Sequence, residues 1–211
     1  MIIERALPGL FASTPQLLPF DTALEIRAFA LERAPGNLLI YSSEGLKHDA
    51  EGLRALGVEH WYLNHWHEAL FTAPVDAPLL VHERDRAATE KRAHVAASFS
   101  HRHTIGSDFE VIPTPGHTKG ATAFLWDRGE HRMLFTGDTV YLRDGEWVAT
   151  VLDSSDRVAY IDSLELIRAL DFDVLVPWAA SAGQPWYAVT DETDRRSRID
   201  AILERVRGAK G

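Results

Sequence analysis

Three short apolar runs of this chain each stop at a turn bearing a side chain that can ligate a metal. Val58–Asn64 is followed by His65-Trp66-His67, Glu110–Thr114 by Pro115-Gly116-His117-Thr118, and Met133–Thr136 by Gly137-Asp138. Apolar runs this short, bounded by turn residues, read as strands. Alternate residues of an extended segment share a face, so His65 and His67 can point at one ion while Trp66 points the other way. If the three strands lie side by side, their end loops share one rim, where functional residues collect. The chain is then committed to a sheet with its chemistry at one edge.

The rest of the pattern agrees. Asn37–Ser42 and Leu79–His82 read as further strands, as do Thr122–Trp126 and Asp173–Pro177. Gly45–Leu56 reads as a helix with Leu46, Leu53 and Leu56 on one side, closed by Gly57. A charged helix is expected from about Arg84 to Ala97. Ser154, Ser155 or Asp156 can cap a helix carrying Ile161, Leu164, Ile167 and Leu170 at helical spacing. A last amphipathic helix starts near Asp191, with Ile199, Ile202, Leu203 and Val206 as its stripe. There is no repeat or linker. A chain of 211 residues in this arrangement is expected to be one layered α/β domain, 1–211.

Composition narrows the function. The absence of cysteine excludes disulfides, thiolate ligands and a cysteine nucleophile. The formal net charge of −9, without a basic cluster, argues against a nucleic-acid partner. No apolar run reaches transmembrane length, which argues against a membrane. Met1–Ser13 carries Glu4 and breaks at Pro8-Gly9, unlike a secretory signal, so a cytoplasmic location is expected. The partner is expected to be a small molecule, and nothing in the pattern selects between monomer and homo-oligomer.

Imidazole and carboxylate donors suit zinc, with iron and manganese as alternatives. Three protein ligands plus water is the usual catalytic zinc arrangement. An H-x-H pair alone is a weak signal, and the chain holds its own control. His101-Arg102-His103 lies in a polar stretch without a companion motif and reads as solvated surface. His82, before Glu83, reads as structural, and His48, His60, His94 and His131 have no supporting context.

The order of these motifs resembles the metallo-β-lactamase fold superfamily, a four-layer αββα sandwich (α/β, or α+β, in class) of mostly hydrolytic metalloenzymes. The resemblance runs from about Asn37 to Ala180 and is strongest from Glu110 to Asp138. Ile112-Pro113-Thr114-Pro115-Gly116-His117-Thr118-Lys119-Gly120 is similar to the family's proline-glycine-histidine-threonine loop, and Leu134-Phe135-Thr136-Gly137-Asp138 to the strand ending in its metal-bridging aspartate. Leu63-Asn64-His65-Trp66-His67 stands where the family has H-x-H-x-D-H. Ser163-Leu164-Glu165 and Asp171–Pro177 resemble its late helix and strand.

The pattern then breaks. The signature's aspartate and second-site histidine are Ala69 and Leu70, the late histidine is Ala179, and the aspartate expected near Ile40 is absent from Tyr41-Ser42-Ser43. By the resemblance, Ala69, Leu70 and Ala179 stand where binuclear relatives hold a second metal. The first-site set His65, His67, His117, with Asp138, survives, implying one divalent metal at most.

Three readings follow. The first is a mononuclear hydrolase using a metal-bound water, acidified to a pKa of about 7, on an ester, lactone, thioester or phosphoester-type small molecule. Asp138 and Glu68 are its candidate catalytic residues. Glu68, placed on a strand end, is expected either to serve as base or to be an exposed loop carboxylate. The second is a non-catalytic ligand-binding protein, with Trp66, Trp178, Trp186 and Tyr187 lining a pocket, or packing the domain's edge, and possessing one metal or none. The third is a mononuclear iron dioxygenase-like oxidoreductase using His65, His117 and Asp138 as a facial triad.

Overall fold

A computed structural model describes residues 4–71 and 75–208. The first residues of the stretch read above for a signal therefore lie outside the described residues. The chain forms two compact units, one ending at Ser100 and the other beginning at His101.

The first unit is built on strands β1 (Glu4–Leu7), β2 (Leu10–Ala12), β3 (Gln16–Leu18), β4 (Asp21–Ile26), β5 (Phe29–Leu31) and β6 (Asn37–Ile40). Helix α1 (Leu46–Leu56), β7 (Val58–Tyr62), β8 (Leu79–His82), α2 (Glu83–Thr89) and β9 (Ala97–Phe99) follow. Its seven-stranded sheet has the order β1-β2-β5-β6-β7-β8-β9, and β3 pairs antiparallel with β4 outside that sheet. The β6–β9 half is parallel. Parallel strands are usually covered on both faces, which suits the unbroken buried run Leu38-Leu39-Ile40. Helix α1 is the crossover between β6 and β7. It stops at Gly57, whose φ of 65° provides the left-handed cap that lets its N–H return to the Leu53 and Arg54 carbonyls.

The second unit contains β10 (His103–Ile105), β11 (Phe109–Pro113), β12 (Thr122–Asp127), β13 (Arg132–Gly137), β14 (Tyr141–Arg143) and β15 (Glu146–Val148). These precede α3 (Arg157–Ala169), β16 (Val174–Pro177), β17 (Ala179–Ser181), β18 (Ala188–Val189) and α4 (Glu192–Gly208). Its six-stranded sheet has the order β10-β11-β12-β13-β16-β18. Because β12 is antiparallel to both β11 and β13, those two run the same way and end at the same edge. Parallel pairing with β13 brings the end of β16 there too. Asp156 caps α3 by accepting from the Ala159 N–H at 3.1 Å, as expected from sequence. The stripe Ile199, Ile202, Leu203 and Val206 of α4 is buried.

One expectation is corrected. The charged helix stops at Thr89, and Ala97–Phe99 instead joins the sheet beside β8. Val95 is buried at this transition, and its carbonyl accepts from Arg86. The five strands before Asn37 were not foreseen. No helix among the described residues is long and apolar enough to cross a membrane.

His82 caps α2 as an acceptor: its Nδ1 receives the Arg84 N–H at 3.2 Å. That role requires the neutral ring, and burial holds its pKa below the ordinary 6.5 despite the Ser100 backbone and the nearby Asp85 charge. A folded-state pKa below the unfolded value means that the contribution is complete above 6.5 and declines as the pH falls below it. His82→Asn keeps a capping oxygen that does not titrate. In urea melts from about pH 7.5 to 5.5, the wild type should lose more stability than this variant, by up to the ~1 kcal/mol of a cap. Parallel declines would refute the assignment.

Candidate metal centre

After β7 the chain does not continue extended. Trp66–Phe71 is a 3₁₀ helix, so strand alternation is not what brings His65 and His67 together. Their rings are 5.1 Å apart, centroid to centroid, and nearly perpendicular. Trp66, expected on the opposite side, lies against His67 at 4.1 Å. The turn is held from outside by the buried Asp85, which accepts the Trp66 N–H at 3.1 Å, and by Ser42, whose hydroxyl donates to the Phe71 carbonyl at 3.1 Å.

Glu68 is the largest correction here. It is fully buried, not an exposed loop carboxylate. Its Oε1 accepts the backbone N–H groups of Asn64 (2.8 Å) and His65 (3.1 Å). A glutamate three residues into a helical turn reaches back to the free N–H groups at its start, as in a capping box; the spacing of His65 and Glu68 was the available sequence signal. The same oxygen lies 3.1 Å from His65 Nδ1, and Asn64 Oδ1 lies 3.0 Å from it. Because Oε1 already accepts two N–H groups, the imidazole is the donor at Nδ1. The lone pair of His65 is therefore on Nε2. Burial pushes the Glu68 pKa up, and the hydrogen bonds from His65 and Asn64 oppose this.

In the second unit, the loop after β11 is closed by Thr114 N–H to the Ala121 carbonyl (2.8 Å) and Gly116 N–H to the Thr118 carbonyl (2.9 Å). It carries His117, buried, whose Nδ1 lies 2.8 Å from the Thr150 carbonyl oxygen. A carbonyl only accepts, so Nδ1 is protonated and Nε2 bears the lone pair. That nitrogen faces Asp138 Oδ2, at the end of β13, across 3.6 Å. The separation is too long for a good hydrogen bond. It is close to the ~3.4 Å between two ligands of one tetrahedral zinc with bonds of about 2.0–2.2 Å.

Helix α3 and the two residues before it hold both loops. Asp156 N–H donates to the Gly116 carbonyl (2.9 Å), Ser155 to the His117 carbonyl (3.2 Å) and Ser163 to the Pro115 carbonyl (2.7 Å). The Tyr160 hydroxyl lies 3.1 Å from the Asp138 carbonyl and 2.7 Å from that of Thr139. These contacts were not read from sequence, where only the apolar stripe and cap of α3 stood out.

His65, His67, His117 and Asp138 form a group that could hold a metal ion. The donor set fits one: His65 and His117 both spend Nδ1 on an acceptor behind the ring, the usual support for a metal-binding histidine. Ala69 and Ala179 are buried and Leu70 is exposed, and none offers a donor atom. Of the expected pocket aromatics, Trp178 and Trp186 are buried and Tyr187 packs against Trp186 at 4.9 Å. Trp66 and Tyr187 remain partly exposed. In the His101–His103 pair, His101 is exposed and its carbonyl lies 2.8 Å from His103 Nδ1.

Residues 49–179 match the sequence profile of the family described as the metallo-beta-lactamase superfamily. Among solved structures, a metallo-beta-lactamase from Pontibacter korlensis is similar at a TM-score of 0.72 and 15% identity, covering 98% of this chain and 99% of that one. An archaeal metallo-beta-lactamase superfamily protein from Sulfolobus tokodaii gives 0.65 and 15%, covering 96% and 87%. ETHE1 from Myxococcus xanthus gives 0.63 and 19%, covering 90% and 84%. At these identities the likeness is one of fold. No match is found among curated proteins.

Gly116 has a φ of 141°, and a Cβ there would lie 2.4 Å from Tyr160 Cα and 2.6 Å from its nitrogen. The loop reaches α3 only because position 116 has no side chain. Gly116→Ala should cost about 3 kcal/mol in urea denaturation, from strain and overpacking together. Unchanged stability would refute this close approach.

Proposed function

The chain belongs to the metallo-beta-lactamase superfamily, and we propose that within it the protein is a hydrolase of a small ester, lactone, thioester or phosphoester, working with one divalent metal ion, most simply Zn²⁺. The observation that carries this reading is the His117–Asp138 pair: an imidazole lone pair, fixed on Nε2 by the Thr150 carbonyl, aimed at a carboxylate oxygen 3.6 Å away. Two electron-rich atoms so placed favour a cation between them. His65, pinned in the same tautomer by Glu68 and Asn64, and His67 beside it supply the remaining donors.

Such an ion, when bound, supplies Lewis acidity and lowers the pKa of water. The chain's residues do the rest. Asp138 is the more exposed member of its pair, 15% against 1% for His117. Asp138 would be one of the residues holding the ion, and its more exposed carboxylate is the group placed to accept a proton at Oδ2. Glu68 is assigned to orienting His65 instead of to proton transfer, because its Oε1 is fully engaged behind that ring. Ala69, Leu70 and Ala179 provide nothing for a second ion, which supports a mononuclear centre.

The test is metal content first. Protein purified without chelator and offered Zn²⁺, Mn²⁺ or Fe²⁺ should retain about one ion per chain. His117→Ala should abolish retention, and His101→Ala should not. Failure of the wild type to hold any ion overturns the metal site. One ion without turnover of esters, lactones, thioesters or phosphoesters would instead mark a binding protein. Oxygen uptake with persulfides, only when iron is loaded, would mark the oxidoreductase.

A further inference from the structure

The side chain of Tyr160 lies behind both metal-ligand candidates of the second unit. Its hydroxyl is 2.7 Å from the Thr139 carbonyl and 3.1 Å from that of Asp138, the peptide from which the candidate carboxylate ligand projects. The Thr150 N–H approaches the same Asp138 carbonyl at 3.4 Å. The carbonyl of that same Thr150 is what the His117 ring donates to. One phenol thus holds the Asp138–Thr139 turn, which in turn meets the Thr150 residue that fixes the His117 tautomer. Tyr160 is fully buried, and its own backbone is the surface against which Gly116, next to His117, is packed.

A buried tyrosine needs a partner for its hydroxyl, and this role is met by any one carbonyl. Here the contacts are two, to the carbonyls of Asp138 and Thr139, and the Asp138 carbonyl is shared with the N–H of Thr150, whose own carbonyl holds the His117 ring. We propose that Tyr160 is the positioning residue of the metal centre, setting the Asp138 carboxylate and the His117 imidazole relative to each other through the Thr139 and Thr150 peptides. The proposal deepens the single-metal reading above and rests on it for its metal readout.

Tyr160→Phe keeps the ring and removes only the hydroxyl. Ile167→Val, a mild loss of packing at a buried position on the same helix, serves as the structural control, with thermal melts confirming that both fold. Outer supports of metal ligands are worth about 10–100-fold in affinity. Tyr160→Phe should therefore weaken Co²⁺ binding by about 10–100-fold and shift the visible absorption of the Co²⁺-loaded protein. In metal-free protein, ¹⁵N-resolved histidine spectra should show the wild-type His117 ring as the Nδ1–H tautomer and the Tyr160→Phe ring as a mixture. Ile167→Val should leave all three readouts as in the wild type. The proposal is overturned if Tyr160→Phe retains both the wild-type affinity and the single tautomer, or if Ile167→Val reproduces the losses. If the wild type itself takes up no Co²⁺, the metal reading fails separately and the tautomer alone decides the role of Tyr160.

Discussion

The hydrogen bond from His117 Nδ1 to the Thr150 carbonyl is the interaction on which the candidate centre depends. A backbone carbonyl cannot donate, so it tolerates one tautomer only, and the ring must present its lone pair at Nε2. Reversing the tautomer would set two lone pairs against each other in a buried place, at a cost of about 1–3 kcal/mol. The fold prepares this bond at several levels. The shared direction of β11 and β13 puts His117 and Asp138 at one edge, and the hydrogen bonds from α3 and the two residues before it fix the loop between β11 and β12.

The first unit reaches the same chemical state by another route. Behind His65, a buried carboxylate and a neighbouring side-chain amide oxygen take the place of the backbone carbonyl and lie within hydrogen-bond distance of its Nδ1–H. A carboxylate is a stronger support for an imidazole than a carbonyl, because it raises the basicity of the ring and with it the donor strength of Nε2. The price is desolvation, visible in the raised pKa of Glu68. Two backbone N–H groups at the start of the 3₁₀ helix offset part of it, so the turn that shapes the site and the charge that supports His65 stabilise one another.

Much of this was legible in the sequence because its signals are local. Helices α1, α3 and α4 announced themselves by periodicity and caps, and the strands leading to His117 and Asp138 by short apolar runs beside Pro-Gly or Gly-Asp. The N-terminal strands were not legible. Leu10–Ala12, Gln16–Leu18 and Phe29–Leu31 are three residues each, interrupted by Pro15 and Pro19, and owe their extended form to pairing with distant partners. His65-Trp66-His67 misled for the opposite reason: a clear strand precedes it, and alternation was extended past Tyr62 into what is a 3₁₀ turn. Glu68 looked exposed because its partners are backbone groups, which no pattern of side chains reveals. Tyr160 is hidden likewise, since its partners are carbonyls of two separate loops.

The energetic character of the supports bears on whether the centre has been kept or merely left behind. Ala69, Leu70 and Ala179 have no donor atoms, and two of them are buried as ordinary apolar residues. The supports of the remaining ligands are different in kind. A buried Glu68 is expensive, and in a fold selected only for stability a well-packed apolar side chain would often serve as well or better. Gly116 is held at a positive φ against the backbone of α3, a close approach that any other residue would obstruct. Tyr160 brings a hydroxyl into the interior for the sake of backbone carbonyls. Each feature is costly or restrictive for folding, and each bears on the orientation of His65, His117 or Asp138. That distribution, with apolar residues at the second position and costly supports at the first, favours the proposed single-ion centre over a metal-free scaffold.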